Sequence, residues 1–218
     1  MTGKSTCLAE NIWLTVPFMY TAKSPLDRIN DCLLVMTSYV SWPQAGPADQ
    51  TDSILDTQSI MRISSLLDDL DELWSQISHW EIPRSCDDDT ETGQHHSECV
   101  YTYSNAHNAN TVAMHGLARL VLLSLLDCKT SPVGREEREQ MVVRASASIV
   151  SAAAYLSTFD IGCAYLRVIT PLQTVAQHSP KSAQRDCAVH ILQQWWQERP
   201  LKGLTWKALQ TISLTYSP

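Results

Sequence analysis

Apolar residues recur along this chain at intervals of three and four, and the clearest run lies between Ile60 and Trp80. There Ile63, Leu66, Leu67, Leu70, Leu73, Trp74, Ile77 and Trp80 form one stripe, while Asp68, Asp69, Asp71 and Glu72 fall off it. That period predicts an amphipathic helix with its carboxylates towards water. An earlier helix is predicted from Leu26 to Val40. It follows Ser24-Pro25, a capping serine and a proline suited to the first turn, and it ends before Trp42-Pro43-Gln44-Ala45-Gly46-Pro47. Asp52 and Ser53 are candidate caps for the helix after that loop. Ala106 to Leu126 is apolar nearly all round towards its end, the mark of a central buried helix.

Beyond a turn at Ser131-Pro132-Val133-Gly134, Glu136 and Glu137 stand in the first turn of the next helix. The small face of that helix, Ala145, Ile149, Ala152, Ala153 and Leu156, predicts close packing. Gly162 to His178 reads as helical with a kink or a restart at Pro171, capped by Thr170. Another helix starts at Ser179-Pro180 and carries Ala183, Cys187, Ala188, Ile191, Leu192, Trp195 and Trp196, closed by Pro200 and Gly203. Leu204 to Tyr216 supplies the last. No strand signal exceeds a few residues and no repeat is found. The expected class is all-α, an irregular multi-helix bundle or array. Residues 1–80 form an N-terminal helical part, 81–103 an acidic polar loop, and 104–218 the C-terminal helical part of the same domain.

Composition narrows the function. The 218 residues are 44% hydrophobic, enough to build a core, and carry a formal net charge of -7. That charge repels phosphate backbones, so this chain is expected to bind no nucleic acid directly. Met1 to Glu10 holds no apolar run of signal-peptide length, and no stretch is apolar over a bilayer's width, so a soluble, intracellular protein without membrane contact is expected. Seven widely spaced cysteines, with no Cys-x-x-Cys pair, read as reduced, mostly core-filling thiols.

Candidate chemistry is sparse. Asp68-Asp69-Leu70-Asp71-Glu72 faintly resembles the magnesium-binding helix of terpene synthases, but the second metal motif of those enzymes is missing, and a solvated charge run is the preferred account. Cys86, His95, His96 and Cys99 are metal-ligand types in a polar loop, at spacings that match no zinc template, and are read as unattached side chains. His107, His115, His178 and His190 lie on predicted helices with no nucleophile motif beside them, so hydrogen-bonded filler is expected of them. Arg135, Arg138 and Arg144 interleave with Glu136, Glu137 and Glu139 and are read as a salt-bridged exposed face. Trp195, Trp196 and Trp206 are read as core anchors first and a partner interface second. No catalytic, cofactor-binding or metal-binding residue is assigned.

The order of these segments resembles the fungal-specific transcription factor domain, the regulatory region that follows the zinc binuclear cluster of many fungal transcription factors. Tyr103-Ser104-Asn105-Ala106 leading into His115 to Leu122 looks like that family's tyrosine/asparagine-to-arginine helix, with Arg119 at the basic position. Ala147 to Ser151, Gly162 and Ala164 to Leu172 resemble its glycine-then-proline helix pair, and Leu192 to Ala208, with Gly203-Leu204, its closing helices. Upstream, Pro17-Phe18, Lys23, the helix from Leu26 and the stripe ending Leu73-Trp74 are similar to the segment before the central helix. The family's six-cysteine DNA-reading cluster has no counterpart in this sequence. The resemblance therefore implies a nuclear transcription regulator reduced to its regulatory part, possessing no cofactor and acting through protein contacts in a fungal secondary-metabolite pathway. Its expected partners are other transcription regulators or a second copy of itself, with a small-molecule effector as a further ligand. The alternative is a small, helical, magnesium-dependent enzyme of secondary metabolism, terpene-synthase-like.

Overall fold

A computed structural model describes residues 14–15, 18–37, 57–84, 101–126, 134–159, 165–198 and 202–215. Among them are seven helices of eight residues or more: α1 (Pro25–Met36), α2 (Thr57–Ile77), α3 (Ala106–Leu125), α4 (Arg135–Ser157), α5 (Ile169–His178), α6 (Ser182–Glu198) and α7 (Lys202–Thr215). A single 3-10 turn, Ser78–Trp80, extends α2. The architecture is an all-α multi-helix array.

Local chemistry explains most of the boundaries. The Ser24 hydroxyl accepts from the Asp27 N–H while the Asp27 carboxylate accepts from the Ser24 N–H, a reciprocal capping box with Pro25 at the first helical position. The Asn105 side chain accepts from the Asn108 N–H at 2.9 Å and starts α3. Thr170 does not cap α5. That helix restarts at Ile169 behind Val168, and Pro171 sits in its first turn, where a missing N–H costs nothing. Gly203 likewise belongs to the first turn of α7 rather than to the end of α6. Asp52, Ser53 and Pro200 lie outside the described residues, as does the interior of the acidic loop.

The ends of that loop are fastened together. Two-residue strands β1 (Ile82–Pro83) and β2 (Tyr101–Thr102) pair antiparallel, Ile82 opposite Thr102 and Pro83 opposite Tyr101. The N-terminal helices and the C-terminal ones then share one core. α3 lies at its centre, in contact with α1, α2, α4 and α5, while α7 closes over α5 and α6. Eleven residues of α3 are buried, which accounts for its all-round apolar character. The closest approach is at Gly116, where an added Cβ would meet Ile149 Cγ1 of α4 at 2.8 Å and the Ala145 carbonyl at 3.1 Å. Ala145, Ile149, Ala152, Ala153 and Leu156 are all buried, as their small face predicts. No helix is long and apolar enough to cross a membrane among the described residues.

Candidate functional site: an arginine-bordered cavity at the central helix

The close contact of α3 with α4 loosens towards the N-terminal half of α4, and Trp74 near the end of α2 closes the gap from the side. A cavity of about 240 Å3 remains there. α3 contributes His115, Gly116 and Arg119, spaced so that two of the three lie one turn apart on one face. α4 contributes Glu137, Gln140, Met141, Arg144, Ala145 and Ser148, again one face at intervals of three and four.

His115 is only 2% exposed, and its Nε2–H donates to the Leu70 carbonyl of α2 at 2.9 Å. A carbonyl only accepts, so this contact fixes the proton on Nε2. Burial holds the ring far below its ordinary pKa, at about 4, against the opposing pull of the Leu70 carbonyl and with a smaller push from Arg119. The imidazole is therefore neutral at physiological pH, the hydrogen-bonded filler its sequence context suggests. Trp74 stacks on it, ring centroids 5.0 Å apart.

Arg119 Nη1 pairs with Asp71 at 2.8 Å. Its Nε is buried and finds no hydrogen-bond partner among the described residues. Burial lowers the Arg119 pKa, Asp71 raises it, and Arg144 lowers it again, which places the two guanidinium groups within electrostatic reach of each other. Arg144 covers the Trp74 ring, 5.4 Å from its centroid, in a cation-π contact. The arginines of α4 thus depart from the expected salt-bridged face. Arg138 donates to the Leu126 carbonyl at the end of α3, Arg144 packs on tryptophan, and neither makes an ion pair with Glu136, Glu137 or Glu139 among the described residues. Long side chains that find a free carbonyl or an aromatic face gain more there than from a water-exposed carboxylate.

Behind Ser148 lies a buried polar cluster. The β1–β2 ladder sets Glu81 beside Tyr103, whose single hydroxyl proton is shared between the Ser148 carbonyl at 3.2 Å and Glu81 at 3.4 Å. Burial raises the Glu81 pKa, while hydrogen bonds from Ser148 and Tyr103 and the charge of Arg144 work to lower it.

The other residues singled out from sequence fall elsewhere. Asp68 and Asp69 are exposed on the outer side of α2, while Asp71 and Glu72 face Arg119 and Arg28 respectively. Two of the four carboxylates are thus already engaged by cations, and no cluster of three metal-ligating side chains exists among the described residues. Cys86, His95, His96 and Cys99 lie outside them. His107, His178 and His190 are exposed. Trp195 is buried, its indole N–H donating to the Ser157 hydroxyl at 2.9 Å, whereas Trp196 and Trp206 meet as a tilted ring pair at the surface, 37% and 46% exposed. A second, larger hollow of about 420 Å3 lies over α1 and α2. Lys23–Asp31 and Arg28–Glu72 pairs engage three of its charged lining residues, Arg62 and Asp69 also border it, and its cysteine, Cys32, is a thiol pushed up to about 11 by burial.

Fold and site together define a helical-array protein with an arginine-bordered cavity beside its central helix. Compared with known protein families, with curated proteins and with solved structures, the chain finds no match.

Proposed function

We propose that this chain is the regulatory, non-catalytic region of a fungal-type transcription regulator, working in the nucleus through contacts with other regulators or with itself, in control of a secondary-metabolite pathway. One observation carries the reading: the segments that bear the family resemblance are packed against each other. The helix to Arg119 and the stripe ending at Trp74 meet at the cavity, with Arg119 on Asp71, and Tyr103 lies behind it on Ser148. The paired Trp196 and Trp206, with Leu204 two residues before Trp206 at 50% exposure, offer an aromatic contact surface of the kind that anchors partners.

The experiment fuses the full chain to a heterologous DNA-binding domain upstream of a reporter. Transcription should rise or fall relative to the DNA-binding domain alone. A Trp196→Ser, Trp206→Ser double variant should lose most of that effect, since truncating an aromatic anchor weakens a contact by about 2 kcal/mol, roughly thirtyfold in affinity. A folded, nuclear fusion that leaves the reporter unchanged would overturn the proposal. Turnover of prenyl diphosphates with magnesium, lost in Asp68→Ala and Asp69→Ala, would install the enzyme alternative instead.

A further inference from the structure

We propose that the cavity between α2, α3 and α4 binds a small organic carboxylate, its anion held between Arg119 and Arg144 and its apolar body against Met141 and Ala145. The inference is independent of the regulatory reading, and either can fail without the other.

Three observations lead to it. First, cationic capacity is left over. Asp71 pairs with Nη1 of Arg119, and Arg144 has the Trp74 ring and the field of Glu81 but no ion pair among the described residues. Both guanidinium groups border the cavity, where a carboxylate oxygen can meet a charge-assisted donor. Second, both guanidinium groups line the same cavity, where Arg144 adds a smaller share to the lowering of the Arg119 pKa that burial dominates, and an anion placed between two like charges offsets their repulsion. A guanidinium fork matches the planar geometry of a carboxylate. Third, Trp74, Met141 and Ala145 add apolar surface beside Gln140 and Ser148, which an inorganic anion leaves unused. The volume of about 240 Å3 lies below the range of drug-sized pockets, roughly 300 Å3 and upwards, so the ligand is small. His115 is uncharged at neutral pH and adds no further cation. Glu137 is the single carboxylate among the described lining residues and works against an anion.

The test uses the full chain and four probes: benzoate, cyclohexanecarboxylate, neutral benzamide and inorganic phosphate. Binding is read from the Trp74 indole N–H signal in nitrogen-15 NMR, assigned by its loss in Trp74→Phe. The expected result is saturable shifts with at least one of the two carboxylates and none with benzamide or phosphate. Arg144→Gln, at an exposed position, should keep the fold by circular dichroism and weaken binding by about tenfold or more. Glu137→Gln should bind at least as tightly as the parent chain. Silence from both carboxylates, equal binding of benzamide, unchanged binding in Arg144→Gln or weaker binding in Glu137→Gln would each overturn the proposal. A response to phosphate equal to that of the carboxylates would also overturn it, since the apolar lining would then contribute nothing.

Discussion

His115 couples the stability of the fold to pH. Its folded-state pKa of about 4 lies below the ordinary 6.5, so the unfolded chain binds the proton more readily than the folded one. Stability from this group is whole above pH 6.5 and drains as pH falls towards 4. Between pH 7 and 5 the loss is roughly 2 kcal/mol. Glu81 runs the other way, because its raised pKa makes the folded state the better proton acceptor in the carboxylate range, and stability drains from it as pH rises through that range. Urea midpoints should therefore fall from pH 7 to pH 5 for the parent chain, and fall less in His115→Gln. An equal pH dependence in His115→Gln would mean that the imidazole is not buried neutral. The helical context of His115 announced filler. Its partner, Leu70, lies 45 residues away, and no local pattern names it.

At the scale of elements, the central pair of helices depends on one glycine. Gly116 has an ordinary helical environment, and its absent side chain is what lets Ile149 of α4 come so near. Gly116→Ala gains helix propensity of about 1 kcal/mol. It also forces Cγ1 of Ile149 from 2.8 Å, and overpacking of this kind costs about 1 to 3 kcal/mol. The clash should win, lowering the thermal midpoint, and Ile149→Val in the same chain should recover less than it would if the crowding came only from the Cδ1 end, because Val keeps Cγ1. Ile149→Ala should relieve the contact at the price of a cavity. A midpoint raised by Gly116→Ala alone would show that the backbone can separate freely. The small-residue run of α4 was readable as a packing face, and Gly116 as part of a family-like helix. The pairing of the two needed the fold, since alanine-rich periodicity says that a neighbour comes close without saying which one.

Across the whole molecule, a single core joins helices on either side of the acidic loop. Leu70 is fully buried where α2 meets α3, so Leu70→Ala removes apolar contacts that both portions use, at about 2 to 5 kcal/mol. Near-ultraviolet signals from the tryptophans and the far-ultraviolet helical signal should melt together, and the substitution should lower both by the same amount. Two separated transitions, with only one moved by Leu70→Ala, would divide the chain into independent units. On either side of the acidic tract, β1 and β2 bring residues 82–83 and 101–102 to one place.

Periodicity, caps and breakers are local properties, and they determined the helices: the stripe of α2, the Ser24 and Asn105 starts and the buried character of α3 follow from residues within a few turns of each other. Charge and cysteine spacing likewise set the expectations about nucleic acid and zinc. The cavity was decided by tertiary structure alone. Trp74 reads as one more member of an apolar stripe and Arg144 as one of several arginines among glutamates. Only the crossing of α2, α3 and α4 turns them into a wall beside Arg119. The physical reason is range: hydrophobic spacing records which face of a helix avoids water, whereas a binding site is made where faces from distant segments fail to fill the space between them.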